Sequence, residues 1–274
     1  MSCVLYDEPE LAERYDRISD LQFHSGCQLA GRMKVKAEDV VLDVGCGTGR
    51  LALYLAGLVG PAGQVLGIDP SPHRIRIAQR KLAAGEVLNV GFSLGRGEDL
   101  ADMPCDSFDH VCYSSVFHWV DDKAAALREA YRVLRPGGAI GITTVDKGHT
   151  YAMRHIMEQL FTQKYPGVGF ESEMSMLIDA AELRGLLERA GFRDILIEKV
   201  AEKHCYASAD ELYQFMEASS FGNFLREVPD DVRAKIREEM GSMLEKLRTP
   251  RGIEIESCML YALARKTDRL NRSR

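Results

Sequence analysis

No stretch of 18 or more apolar residues occurs in the 274 residues of this chain, so no segment is long and greasy enough for a spanning helix. Its opening, MSCVLYDEPELAERYD, carries acids where a secretion signal has a basic start and an apolar centre. The expectation is a cytoplasmic protein with no membrane span. Paired cysteines are also missing. Seven cysteines, at positions 3, 27, 46, 105, 112, 205 and 258, make an odd number without a C-x-x-C pair, which writes neither a disulfide framework nor a zinc site. No metal is therefore expected. Basic excess is absent as well: 35 Lys and Arg stand against 41 Asp and Glu, a net charge of -6. A groove tracking a phosphate backbone needs the opposite balance, so nucleic acid is excluded as the main partner. No repeat of fixed period and no low-complexity segment is visible.

What is present is a 46% apolar chain, ample for one buried core with additions, and a dense signal at residues 41–50, VLDVGCGTGR. Val41, Leu42 and Val44 form the apolar run of a strand covered on both faces. Gly45, Gly47 and Gly49 follow as a turn free of Cβ atoms. RLALYLAG, at 50–57, then begins a helix whose free N–H groups face that turn. Asp43 lies inside the strand, where a carboxylate is costly unless a cation or a donor meets it. The dinucleotide fingerprint G-x-G-x-x-G does not fit: the third glycine comes one residue early and Arg50 stands at its place. An acid leading into the turn suits a cationic ligand better than a pyrophosphate.

This segment resembles motif I of the class I S-adenosylmethionine-dependent methyltransferases, and the resemblance continues in order to about residue 145. GQVLGIDPS at 63–71 looks like the second strand, ending at Asp69, about 20 residues past the turn, where an acid accepts both ribose hydroxyls. Asp69 could instead cap the next helix, but Ser71 is the more natural N-cap. VGFSLGRGEDL at 90–100 looks like the third strand and its exit, with Glu98 or, failing it, Asp99 meeting the adenine amino group; a solvated loop charge is the alternative. FDHVCYSSVFHWVDD at 108–122 looks like the fourth strand, and RVLRPGGAIGITTV at 132–145 like a helix end, a Pro-Gly-Gly turn and the fifth strand. YSSV, at 113–116, stands where enzymes that methylate exocyclic amines of bases carry an N-P-P-Y type tetrapeptide.

The resemblance implies S-adenosyl-L-methionine as cofactor, held by Asp43, Gly45, Cys46, Gly47, Gly49, Asp69, Pro70, Glu98, Asp99, Ser114, Ser115 and His118. It implies an α/β fold: a Rossmann-like, seven-stranded mixed sheet with an N-terminal helical cap and helical insertions after strands 5 and 6. The divisions expected are a cap at 1–35, a cofactor core at 36–146, a lid at 147–180 and a core helix with strand 6 at 181–200. An insertion at 201–257, the final strand at 258–266 and a frayed tail at 267–274 follow. In the cap, Leu11, Tyr15 and Ile18 share one helical face, and Phe23, Cys27 and Ala30 another.

Methyl transfer from a sulfonium is an in-line displacement, so residues that hold the acceptor matter more than covalent chemistry. His118 is the first choice for a base, with hydrogen bonding to the cofactor or capping the next helix as alternatives. Tyr15 is placed in the pocket beside the methionine end, or else packs as an ordinary helix residue; Arg17 and His24 are weaker candidates beside it. Tyr113 and Ser115 are expected at that end too, with Trp119 backing the adenine or the next helix. His149, Tyr151, His155, His204 and Tyr206 are lid-side candidates. In the insertion, Ser208 with Glu211 forms a capping box ahead of Leu212, Phe215 and Met216. Val232, Ile236, Met240, Met243 and Leu247 make a near-heptad stripe, for packing on the sheet or on a partner subunit. The cap and the late helices resemble small-molecule methyltransferases of the trans-aconitate and ubiquinone-biosynthesis type, implying a small-molecule methyl acceptor and a monomer or homodimer. LVGPAGQVLGID at 58–69 is similar to arsenite methyltransferases, which bind the metalloid through cysteine thiolates, so thiol or arsenite S-methylation stands as an alternative. A non-catalytic cofactor-binding subunit is another.

Overall fold

The computed structural model describes residues 7–85, 87–149, 152–166, 176–222, 225 and 228–267. Tyr151, most of the expected lid break at 166–174 and the tail beyond 267 lie outside the described residues. Two helices, α1 (Pro9–Ile18) and α2 (Asp20–Met33), precede β1 (Val40–Val44), α3 (Arg50–Val59), β2 (Gln64–Asp69), α4 (Pro72–Ala84) and β3 (Val90–Leu94). The chain then returns through β4 (Phe108–Ser114), a 3-10 turn (Phe117–Trp119), α5 (Lys123–Val133) and β5 (Leu134–Val145). Next come α6 (Ala152–Glu158), which runs into a π-helical turn (Gln159–Lys164), α7 (Ala180–Arg189) and β6 (Arg193–Tyr206). The chain continues with α8 (Ala209–Ser219), α9 (Asp230–Glu245), β7 (Arg248–Thr249) and β8 (Gly252–Arg265).

The sheet runs β3-β2-β1-β4-β5-β8-β6, with the two-residue β7 pairing β8 off this path. The first five strands are parallel to their neighbours, and β8 is antiparallel to both β5 and β6. This is the expected seven-stranded mixed sheet plus one short strand. The order reverses between β1 and β4, whose carboxyl ends open a crevice in which ligands of such sheets lie. No helix among the described residues is long and apolar enough to cross a membrane.

Buried apolar residues on both faces of β1, β2 and β4 join the helices to the sheet, as expected of a doubly covered strand. Helix α2 approaches the sheet so closely that a Cβ at Gly141 would lie 2.2 Å from Met33 Sδ. It buries Ser25, Gly26, Leu29, Ala30 and Met33, so of the expected face Phe23, Cys27 and Ala30 only Ala30 is fully buried, because Gly26 and Gly141 admit the closest approach on the neighbouring side. Ser71 caps α4, its Oγ accepting from Arg74 N at 3.2 Å.

Two boundaries are corrected. The expected Pro-Gly-Gly turn is taken up as a bulge inside β5: Phe108 pairs Leu134, yet His110 already pairs Ala139. Strand β6 does not end at Val200, nor does the final strand begin at Cys258. Both continue, paired from Ala201↔Cys258 to Tyr206↔Ile253, as a ribbon projecting beyond the parallel sheet. The helical part of the insertion is therefore α8 and α9. Ile236, Met240 and Leu244 of α9 pack with Leu212 and Tyr213 of α8, Ile156 and Leu160 near α6, and Ile253 and Ile255 of the ribbon. The stripe on α9 is core, with Leu244 taking part where Met243 was expected to lead.

Candidate active site

The loop after β1 is tied to β2 by its backbone: Gly45 N and Cys46 N both donate to Ile68 O, at 2.7 and 3.0 Å. Asp69, at the carboxyl end of β2, stitches two loops together. Its Oδ2 accepts from Gly47 N at 2.9 Å and its Oδ1 from Ser71 N at 2.8 Å. Burial raises this carboxyl above the ordinary range, and the Arg74 guanidinium opposes that rise. Asp43 is 1% exposed and its Oδ2 has no partner in the chain. Burial first, and the charge of Asp69 second, push it up to about 7.

Five buried side-chain polar atoms lack a hydrogen bond among the described residues, and three of them, Gln22 Oε1, Asp43 Oδ2 and Ser114 Oγ, border one small cavity beside Gly45 and Arg50. Such groups are costly to leave unmade, so their convergence marks a place built for a cationic or donor-rich ligand group. The α-ammonium of S-adenosylmethionine fits that set. The bare backbone of Gly47 fits too: a Cβ there would meet Tyr15 Cε1 at 3.4 Å, at positive φ.

Contiguous with this place is a larger cavity of about 270 Å³. Tyr15 of α1, Asp69, Arg74 of α4, Ser115, His118 and Trp119 border it, together with Met259 of β8 and Leu212, Phe215 and Met216 of α8. Burial raises the Tyr15 phenol. The His118 ring lies with Nδ1 3.3 Å from Thr144 Oγ1, and burial, helped by Lys123, lowers it to about 4, so it is neutral at physiological pH. Ser115 has φ +55°, uncommon for a residue with a Cβ, and its N–H is held by Thr143 Oγ1 at 2.9 Å. Arg74 is buried between the rings of Tyr15 and Phe221, with Cζ 4.1 and 3.8 Å from their centroids. It also bonds Asp7 Oδ2 at 3.2 Å and Ala218 O at 2.9 Å, so one side chain holds the cap and the insertion together.

Of the expected site residues, Tyr15, Gly45, Gly47, Asp69, Ser114, Ser115 and His118 line the larger cavity, and Asp43 and Cys46 the smaller one. The structure does not bring the others there. Gly49 lies beneath the loop, where a Cβ would sit 2.7 Å from Phe92 Cζ and 2.9 Å from Ala78 Cβ; its role is packing. Pro70 and Asp99 line a separate cleft with Leu94 and Gly95. Glu98 borders neither cavity nor that cleft, its Oε1 accepting from Asp121 N at 3.0 Å. Tyr113 is wholly buried under α5, its hydroxyl donating to Ala126 O at 3.3 Å, because odd and even positions of β4 face opposite sides of the sheet. Trp119 does border the larger cavity, but it reaches the insertion, edge-on to Phe221 at 5.6 Å. Arg17, His24 and His155 are exposed, and His149 pairs with Glu256 on the outer face of the ribbon. His204 and Tyr206 do line the cavity, as does Glu202. Gln22, Arg74, Glu202 and Phe221 escaped sequence reasoning. The alternation Val200, Glu202, His204, Tyr206 was the available signal for the ribbon. Among the described residues, no group of three or more His, Cys, Asp or Glu is arranged to hold a metal.

The profile of a family described as methyltransferase domain matches residues 42–142. A demethylmenaquinone methyltransferase of Lactobacillus johnsonii is 31% identical over 209 residues, 69% of this chain and 84% of that protein. The chain belongs to the class I S-adenosylmethionine-dependent methyltransferases. A ubiquinone/menaquinone biosynthesis C-methyltransferase of a Marinomonas species is 30% identical to this methyltransferase, over 66% of this chain and 79% of that one. An arsenite methyltransferase of Aquipseudomonas alcaligenes is 38% identical over 126 residues, 35% of its length. Among solved structures, a S-adenosylmethionine-dependent methyltransferase from Aquifex aeolicus superposes with a TM-score of 0.55 at 18% identity, covering 93% of this chain and 98% of that one. The methyltransferase is thus of the small-molecule type and uses S-adenosylmethionine.

Proposed function

We propose that this methyltransferase acts on a lipophilic, ring-bearing small molecule that carries a hydroxyl. One observation supports this above the rest: the cavity wall beyond the glycine loop presents Trp119, Leu212, Phe215, Met216, Phe221 and Met259. Arg74, the only arginine or lysine lining it among the described residues, is already committed to Asp7, Ala218 and two rings. An acidic acceptor would need a free cation there, whereas a ring system needs apolar and aromatic surface. Two of the relatives are named for demethylmenaquinone and for ubiquinone/menaquinone biosynthesis, which supports a ring-bearing acceptor. The arsenite reading lacks its thiolates: Cys205 bonds Arg251 O and Cys258 faces the other side of the ribbon, and neither borders the cavity.

S-adenosylmethionine supplies an electrophilic methyl group on a sulfonium. Around it, Asp43, Gln22 and Ser114 would hold the ammonium group, Asp69 the ribose hydroxyls, and the cleft of Pro70 and Asp99 the adenine. Cys46 lends its backbone to the loop. Tyr15 and neutral His118 orient the reacting end and exclude water; a ring whose conjugate acid is so acidic is a poor proton sink, so His118 serves as a hydrogen-bonding partner.

The test is methyl transfer from labelled S-adenosylmethionine to a panel containing hydroquinones, naphthols and tricarboxylic acids. Transfer to the ring hydroxyl compounds and none to the acids is expected. The reverse preference would sink the assignment.

A further inference from the structure

We propose that His204, with the Glu202 carboxylate beside it, is the catalytic base that takes the proton from the acceptor hydroxyl. This rests on the reading that a ring-bearing hydroxyl compound occupies the larger cavity.

The ribbon register puts the pair there. Glu202 lies opposite Ser257, and His204 opposite Ile255, on the face that also carries Tyr206 and Met259. His204 Nε2 stands 3.2 Å from Ser257 Oγ and 3.6 Å from Glu202 Oε2. A proton on Nε2 donates to Ser257 Oγ, with the Glu202 carboxylate close by as a charge, and leaves the lone pair on Nδ1, for which no partner exists among the described residues. Glu202 is in turn anchored: its Oε1 accepts from the Tyr261 hydroxyl at 3.2 Å, and that hydroxyl lies 3.0 Å from Ser25 Oγ of α2. Burial raises the Tyr261 phenol, which keeps it a donor to the carboxylate. A chain of four fixed polar groups behind one imidazole, in an otherwise apolar wall, has no packing purpose that leucine would not serve better.

The electrostatics separate this histidine from His118. Burial lowers both, but the charge beside His204 is a carboxylate and the charge beside His118 is Lys123. Of the two, only His204 has a carboxylate beside it that offsets part of what burial costs the imidazolium. The remaining charges of the ribbon alternate onto the opposite face, where Lys203 pairs Glu254 and His149 pairs Glu256. On α8 the residues at the cavity are uncharged, and Arg32 of α2 stacks on Tyr261 and bonds Glu198. In the step itself the acceptor O–H bond breaks, its proton forms a bond to Nδ1, and its electron pair stays on oxygen, delocalised into the ring. The imidazolium later returns the proton to water.

The test compares wild type, His204→Gln and Glu202→Gln, with 1-naphthol as a weakly acidic probe and 4-nitrophenol as one that ionises near neutrality. Affinity for S-adenosylhomocysteine by calorimetry serves as the check on folding, and quenching of Trp119, the only tryptophan, reports probe binding. His204→Gln is expected to slow methylation of 1-naphthol on the order of a hundredfold or more, and that of 4-nitrophenol far less. In Glu202→Gln the acid limb of the rate profile should move to lower pH, since the carboxylate that favours the imidazolium is gone. Equal losses on both probes, or an unmoved limb, would overturn the assignment of the base while leaving the acceptor class intact. If wild type neither binds nor methylates either probe, the acceptor class falls and the base with it.

Discussion

In the proposed site Asp43 serves the ligand at the expense of the empty protein. Its carboxyl is raised from 3.8 to about 7 by burial and by Asp69, so below pH 7 the free protein holds a proton there that a cationic ligand must displace. Affinity for S-adenosylmethionine should therefore fall about tenfold per pH unit below 7, with proton release detected by calorimetry in buffers of different ionisation enthalpy. Asp43→Asn should abolish that slope and weaken binding at pH 8; an affinity flat between pH 8 and 5.5 in wild type would refute the role. The glycines divide by function. Gly49→Ala should cost roughly 2–4 kcal/mol of unfolding free energy, from left-handed strain plus the Phe92 clash. Gly47→Ala, whose Cβ would make only an ordinary contact with Tyr15 at 3.4 Å, should cost about 1 kcal/mol and act mainly on cofactor affinity. Denaturant titration with and without S-adenosylhomocysteine separates the two. The triplet itself was legible in the sequence because a strand, a turn and a helix start are local. That Gly49 packs on Phe92 was not, because the contact joins β3 and α4 across many residues.

The elements most readable from sequence were the parallel strands, each a short apolar run followed by turn chemistry. The ribbon was not, because its cavity face carries Glu202 and His204 and its outer face Glu254 and Glu256, so the apolar alternation that marks a strand is absent. Nor could the pattern locate Arg74, which lies on α4 among other basic residues and acts only through α1 and the chain after α8. Arg74→Leu leaves Asp7 buried and unpaired, which should cost about 3–5 kcal/mol. Amide exchange in α1 should quicken more than exchange in β1 and β4. Protection that drops evenly over the whole sheet would mean the arginine is ordinary core.

Over the whole molecule the titrating groups oppose each other. His118, lowered from 6.5 to about 4, and His110, lowered chiefly by burial, are bound by fewer protons folded than unfolded. Their contribution is complete above about pH 6.5 and is lost as pH falls toward 4. Asp43, raised, contributes below its ordinary value, and that contribution is lost as pH rises through 7. The two slopes cancel over much of the range from 4 to 6.5. In Asp43→Asn, unfolding free energy should consequently fall by up to about 1.4 kcal/mol more per pH unit on acidification than in wild type. Thermal melts across pH settle it, with parallel curves for the two proteins as the failing result.

In the proposed assignment the donor lies at the carboxyl ends of parallel strands, while the acceptor wall is carried by a projecting hairpin and the helices seated on it. The two halves meet along the cavity, where Arg74 and the Trp119–Phe221 contact join them. Natural exchange of the segment between Tyr206 and Arg248 can thus retune which molecule is methylated without disturbing the methyl source, an evolutionary freedom written into the architecture.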